Sequence, residues 1–118
     1  MPISLKRVYD RPAPGDGTRI LVERLWPRGL TKDKAAVDHW AKDISPSPEL
    51  RRWYGHDPAK WPEFRARYRS ELEKNQDALS ALAEKCRAGK VTFVFAAKHE
   101  RRCSAAVLKA FLEEKYRL

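Results

Sequence analysis

Two basic segments of this sequence are best suited to chemistry. The first spans residues 24–29 (RLWPRG) and the second spans residues 98–103 (KHERRC). Each follows a run of β-forming residues. Arginine side chains present a planar fork of N–H donors that fits a phosphate or a carboxylate group. If the two runs are parallel strands of one sheet, both segments lie at the same edge and predict an anion-binding site there.

Six side chains are candidates for holding such an anion. Arg24 follows apolar residues closely enough to fall within a strand, where burying an unpaired charge is costly. It therefore needs either a carboxylate partner, for which Glu23, Asp38 and Asp43 are the alternatives, or a ligand. The tryptophans in the set either stack on the ligand or pack in the core. The six are Arg24, Trp26, Arg28, Arg51, Trp53 and Lys98.

Asp43, His56 and Cys103 are the candidates for catalytic roles. Asp43 and His56 are the acid–base candidates, although His56 follows a glycine turn and equally fits a hydrogen bond within that turn. Cys103 lies near the start of the last predicted helix among basic residues, which favours a thiolate. Its spacing with apolar residues of that helix equally fits a small buried side chain. No recognised zinc-ligand spacing occurs, and we expect neither a metal nor a cofactor.

Short strands and longer helices must position these side chains. Strands are predicted at residues 3–9, 19–26 and 91–97, with a weaker one at 37–44. Ser47-Pro48-Glu49 predicts a helix start and Gly55 its end, and further starts follow at residues 57–58 and 62–63. Strands that alternate with helices predict an α/β fold: one domain, residues 1–118, with a short, mostly parallel sheet and helices packed on it.

The charge and composition define the classes of partner. The chain of 118 residues has 25 Lys and Arg against 16 Asp and Glu, a formal charge of +9. Such a potential attracts small anions, nucleic acid and acidic proteins. The sequence has no apolar run long enough to span a membrane and only two cysteines, so we expect a cytoplasmic protein with reduced thiols. The oligomeric state stays open.

The same segments resemble a known family. RILVERLWPRGLTKDKA, W-x-K-D-I-S-P-S-x-E-L-R-x-W-Y-G-H, F-x-x-R-Y-x-x-E-L and VTFVFAAK are similar to the bacterial YeaO-like family, within the larger domain-of-unknown-function family 488. The resemblance extends from about residue 3 to 112 and implies a stand-alone cytoplasmic α/β domain without a settled activity. More distant members carry Cys-His-Arg near the last bend, whereas this chain has Cys103-Ser104-Ala105.

Three functions follow from the residues. The preferred one is a phosphate- or nucleotide-type anion-binding site, with or without an enzymatic reaction. The second is a nucleic-acid-binding module that uses the basic surface, and its binding should weaken steeply with salt. The third is a structural or interaction domain without a small ligand, which requires a sizeable exposed apolar patch.

Overall fold

A parallel sheet organises the molecule. A computed structural model describes residues 3–98 and 102–118. Within them the strands are β1 (Ser4–Arg7), β2 (Thr18–Leu21), β3 (His39–Trp40) and β4 (Val91–Phe95). Their order across the sheet is β1-β4-β2-β3, and each neighbouring pair of these strands is parallel. The predicted α/β fold is confirmed, and the carboxyl ends of these strands meet at one edge.

Five α-helices surround this sheet in the described part of the chain: α1 (Lys32–Ala35), α2 (Pro48–Tyr54), α3 (Trp61–Glu73), α4 (Gln76–Ala88) and α5 (Ser104–Tyr116). Ser47 caps α2 by accepting the N–H of Leu50 at 3.2 Å, and Gly55 ends the helix with a φ of +54°. Both signals were predicted from the sequence. Within the described residues, no helix has the length and apolar character needed to cross a membrane.

The core lies mainly on one face of the sheet. All five residues of β4 are buried because β4 is a central strand covered on both sides. On the larger face, α2 to α5 pack a continuous apolar cluster that includes the predicted stripe Phe64, Tyr68 and Leu72. The other face is closed by a small cluster of Val8, Leu21, Ala35 and Val94. The four helices of the larger face thus rest on the sheet that leads to the candidate site.

Every predicted strand is shorter in the structure, and three differences bear on the candidate site. β2 ends at Leu21, so Arg24 lies beyond the strand rather than within it. The Glu23 carbonyl accepts the Trp40 indole N–H at 2.7 Å instead of a strand partner, and regular pairing ends there. The region 37–44 holds only the two-residue β3, followed by a 3₁₀ turn at Lys42–Ile44. Cys103 is the cap residue before α5 and not part of that helix.

A buried ion pair secures the opposite edge, where β2 begins. Arg19 is 3% exposed, and its Nη1 lies 2.7 Å from the Asp16 carboxylate. The same guanidinium donates to the carbonyls of Ala35 and Ala36. This charge is therefore fully partnered and acts as a structural clamp between β2 and α1.

Candidate anion site

Two adjoining cavities open at the carboxyl edge of the sheet, between α2, the end of β4 and the start of α5. The smaller one, here named the inner cavity, has a volume of about 100 Å³, and the larger one, named the outer cavity, has about 490 Å³. They share four lining residues and so form one recess, the joined cavities: Tyr54, His56, Ala97 and Arg102. The fold therefore provides a recess at the edge where ligands of parallel α/β sheets usually bind.

Of the residues that the structure describes, three with cationic side chains line the joined cavities. Arg51 comes from α2 and lines the inner cavity, whereas Lys98 follows β4 and lines the outer one. Arg102, just before α5, lines both. Arg51 is 44% exposed at its side chain, and Lys98 and Arg102 are exposed as well. These charges are accessible to a ligand, as an anion site requires.

The start of α5 also faces the inner cavity. Cys103 and Ser104 line it, and α5 is 13 residues long. The Cys103 carbonyl accepts the N–H groups of Ala106 and Val107, while the first N–H groups of any helix have no partner within the helix. Helix N-termini favour anions for this reason. The predicted segment 98–103 contributes Lys98, Arg102 and Cys103, and its residues 99–101 lie outside the described residues.

Glu23 places a carboxylate among these cations. It follows β2, is only 8% exposed, and its Oε1 accepts the backbone N–H of Ala96 at 3.1 Å. Its Oε2 lies 3.6 Å from Nη1 of Arg51. That distance is an ion pair but exceeds normal hydrogen-bond length. Glu23 thus balances part of the positive charge and keeps Arg51 beside the cavity.

Aromatic rings form a further part of the lining, the aromatic wall. Tyr54 stacks on Phe64 with ring centroids 4.4 Å apart, and Trp61 stacks on Phe64 at 5.5 Å. His56 lies 6.2 Å from Tyr54, and its φ of +58° is unusual for a residue other than glycine. The backbone there turns the exposed His56 onto the rim of both cavities. The lining of the recess therefore combines cationic side chains with aromatic rings.

Other predicted residues lie elsewhere. Arg24 and Asp43 line a separate cavity of about 290 Å³. The Arg24 guanidinium donates to the carbonyls of Ser45 at 3.2 Å and Pro46 at 3.4 Å, so backbone oxygens satisfy it where a carboxylate was considered. Asp43 is exposed. These two residues are not among those that line the joined cavities.

The remaining candidates make local contacts. Trp26 donates its indole N–H to the Leu30 carbonyl at 2.8 Å and packs edge-on against Trp40. Arg28 is exposed, and its carbonyl accepts the Tyr9 hydroxyl. The Trp53 ring has the Lys60 Nζ 5.1 Å and the Arg67 Cζ 4.2 Å from its centroid. None of these three residues is among those that line the joined cavities.

Sequence reasoning missed the role of Glu23 and the aromatic wall. The sequence analysis names Glu23 only as a partner for Arg24. Glu23 is, however, the first charged residue after the buried residues at the end of β2. That position was a usable signal. The wall was harder to predict because Tyr54 ends α2 whereas Trp61 and Phe64 belong to α3, and these two helices meet only in the fold. Among the described residues, no three His, Cys, Asp or Glu side chains cluster as metal ligands would.

Comparisons with known proteins identify the family of this chain. A family model described as the inactive DUF488-N3 subclade matches residues 2–118. The chain belongs to this family. It is 39% identical to the uncharacterised protein YeaO of Escherichia coli over 112 residues, covering 95% of this chain and 97% of that protein. It is 44% identical to an uncharacterised protein of Mycobacterium tuberculosis, covering 93% and 92%. These matches confirm the family resemblance, and no solved structure matches the chain significantly.

Proposed function

We propose that this chain binds a small anion, a phosphate- or carboxylate-bearing molecule, in the joined cavities. One observation carries the proposal: Arg51, Lys98 and Arg102 line a single recess at the carboxyl edge of a parallel sheet. The start of α5 adds N–H donors to the same recess. Arginine and lysine together supply both directed hydrogen bonds and charge to an anionic group.

Binding without a reaction is the form of this function that we favour. The family description calls the subclade inactive. Cys103 is 4% exposed and is followed by Ser104 and Ala105, not by the His and Arg of more distant family members. A thiol needs exposure to act as a nucleophile, and Cys103 has little. We therefore assign Cys103 and His56 to the lining of a binding site.

Thermal unfolding in the presence of inorganic phosphate, pyrophosphate, citrate and nucleoside monophosphates tests the proposal. A ligand at 100 times its Kd stabilises the folded state by about 2.7 kcal/mol. For a chain of this size we expect the midpoint to rise by roughly 10 °C. Arg51→Gln and Arg102→Gln should each reduce this rise. Arg65→Gln is the matched control, since Arg65 is exposed on α3 outside the recess.

Two results would count against the anion site. The first is the absence of stabilisation by every anion in the set at millimolar concentration. The second is an equal loss of binding in all three arginine variants, because that would trace the effect to net charge rather than to the recess. Retained binding in Arg65→Gln and reduced binding in the other two variants supports it.

Nucleic acid is the second candidate, favoured by the formal charge of +9. Aromatic platforms for bases are less available than the sequence suggested, since cationic groups lie over the Trp53 ring. Titration of labelled single-stranded RNA and of DNA at increasing salt separates this candidate from the first. A steep decrease in affinity with salt, shared by arginine variants inside and outside the recess, would support nucleic acid instead.

An interaction domain without a small ligand is supported by exposed apolar side chains. Leu25 is 80% exposed and Trp40 is 40% exposed. If they belong to a docking surface, Leu25→Ser should abolish association while anion binding persists. Sedimentation at several protein concentrations measures self-association through this surface.

A further inference from the structure

Glu23 is unexpected in a recess built only for an anion. Burying a carboxylate is costly, and its negative charge would repel an anionic ligand nearby. Among the described residues its one short hydrogen bond, from the Ala96 N–H to Oε1, would be met equally well by a neutral amide oxygen at lower cost. The loose ion pair with Arg51 offsets only part of this cost, so the charge of Glu23 calls for a further explanation.

The second oxygen of Glu23 retains capacity to accept hydrogen bonds. Oε2 lies 3.6 Å from Nη1 of Arg51, whereas charge-assisted hydrogen bonds are about 2.7–2.9 Å long. Glu23 lines the inner cavity, and the aromatic rings of Tyr54, Trp61 and Phe64 line it too. A donor that enters this cavity would find a carboxylate acceptor at the edge of an aromatic wall.

We propose that the ligand is bipolar, with an anionic group at one end and an N–H donor at the other. This inference rests on the proposed function and specifies it. The anionic group lies in the outer cavity near Lys98 and Arg102, and the N–H donor contacts Glu23 in the inner cavity. Glu23 is then the residue that determines specificity. Amino-substituted nucleotides and phosphorylated amines both have this chemistry.

Two pairs of compounds that differ only in the donor test the inference by calorimetric titration. AMP is compared with purine riboside monophosphate, which lacks the amino group, and phosphoethanolamine with ethyl phosphate, which lacks the ammonium group. A hydrogen bond to a charged group predicts that the donor-bearing member binds about tenfold more tightly or better. The pair that shows this preference identifies the source of the donor.

Glu23→Gln is the decisive variant. Glutamine keeps an oxygen for the Ala96 N–H but loses the charge, so the ratio of the two Kd values should fall to near one. Glu84→Gln is the matched control, because Glu84 is exposed on α4 and outside the recess, and it should leave the ratio unchanged. If Glu23→Gln fails to fold, as judged by circular dichroism, the comparison of compound pairs on the unmodified chain decides alone.

The possible results separate this inference from the function on which it rests. Equal binding of both members of each pair, or a preference that survives in Glu23→Gln, overturns the bipolar ligand while the anion site stands. Binding of neither pair and of no simple anion overturns both. A donor preference that disappears in Glu23→Gln and persists in Glu84→Gln supports both.

Discussion

Gly17 sets how closely the turn before β2 approaches β4. Its φ is +65° and its ψ is −138°, a backbone region that is essentially restricted to glycine. A Cβ at this position would lie 2.3 Å from the Lys90 carbonyl oxygen. The same oxygen accepts the N–H of Thr18 at 2.9 Å. Gly17→Ala must therefore disturb the first hydrogen bond between the two strands that lead to the candidate site.

The cost of Gly17→Ala has two parts. The unfavourable backbone region contributes about 1–3 kcal/mol. Loss or distortion of the Thr18–Lys90 hydrogen bond contributes about 1 kcal/mol. We therefore expect the free energy of unfolding to fall by about 2–4 kcal/mol, a large share of the roughly 5–15 kcal/mol that typical proteins have. The thermal midpoint should fall by roughly 10 °C or more.

Urea denaturation followed by tryptophan fluorescence measures this change. Gly15→Ala is the matched control in the same turn, because a Cβ there meets no atom within 4 Å. We expect Gly15→Ala to change stability by less than about 1 kcal/mol. Equal midpoints for the two variants would refute the reasoning, since they would show that close approach to Lys90 does not constrain residue 17.

Three further predictions concern stability. Burial alone would raise the pKa of Asp16, but hydrogen bonds from a backbone N–H and from Arg19 outweigh it and hold the pKa below its ordinary value. This contribution to stability is present above about pH 4 and is lost as the pH falls through the lowered pKa. Asp16→Asn should remove that acid dependence and lower the free energy of unfolding by about 3 kcal/mol, because Arg19 stays buried without its counter-ion. Urea titrations of the variant and of the unmodified chain across the acid range measure this, and parallel profiles of stability against pH would contradict it. Burial raises the pKa of Cys86 to about 11, so the contribution of its neutral thiol to stability is complete below about pH 8.5 and is lost as the pH rises towards 11. Cys86→Ala should reduce the decrease in stability at alkaline pH, and an unchanged decrease would exclude Cys86 as its origin. Ser47→Ala should lower the free energy of unfolding, measured by chemical denaturation, by about 1–2 kcal/mol through loss of the α2 cap. Ser80→Ala at an exposed position should change it little, and equal effects would show that the cap does not contribute.

Local signals in the sequence predicted most of the fold. The apolar run at residues 91–97 predicted the central strand found at Val91–Phe95, and Ser47 and Gly55 marked the two ends of α2. These features depend on neighbouring residues and backbone preferences, so they can be read along the chain. The length of β3 could not be predicted in this way, because its two residues form a strand only through their pairing with β2.

The candidate site was less predictable because it depends on contacts between distant segments. The rule that parallel strands share a carboxyl edge correctly predicted that the segments after β2 and β4 leave the same edge. It did not predict which side chains line the recess. The carbonyls of Ser45 and Pro46 hold Arg24 at a different cavity, whereas the neighbouring Glu23 lines the recess. Glu23 and Arg24 are neighbours in the sequence, yet their side chains line different cavities. Which of the two lines the recess depends on the residue at which the pairing of β2 ends.

The Glu23–Arg51 contact links the two proposals through charge. Within residues 3–98 and 102–118, three cations and one carboxylate line the joined cavities, so an anion alone would leave Glu23 facing a like charge. At 3.6 Å, with the Arg51 side chain 44% exposed, Glu23 holds Arg51 near the recess without a short hydrogen bond to it. The Glu23 carboxylate, held only by this loose ion pair and by the Ala96 N–H, can therefore accept a further donor. A ligand with an N–H group at its other end supplies that donor and leaves no buried charge unpaired, which is why a bipolar ligand fits this recess better than a simple anion.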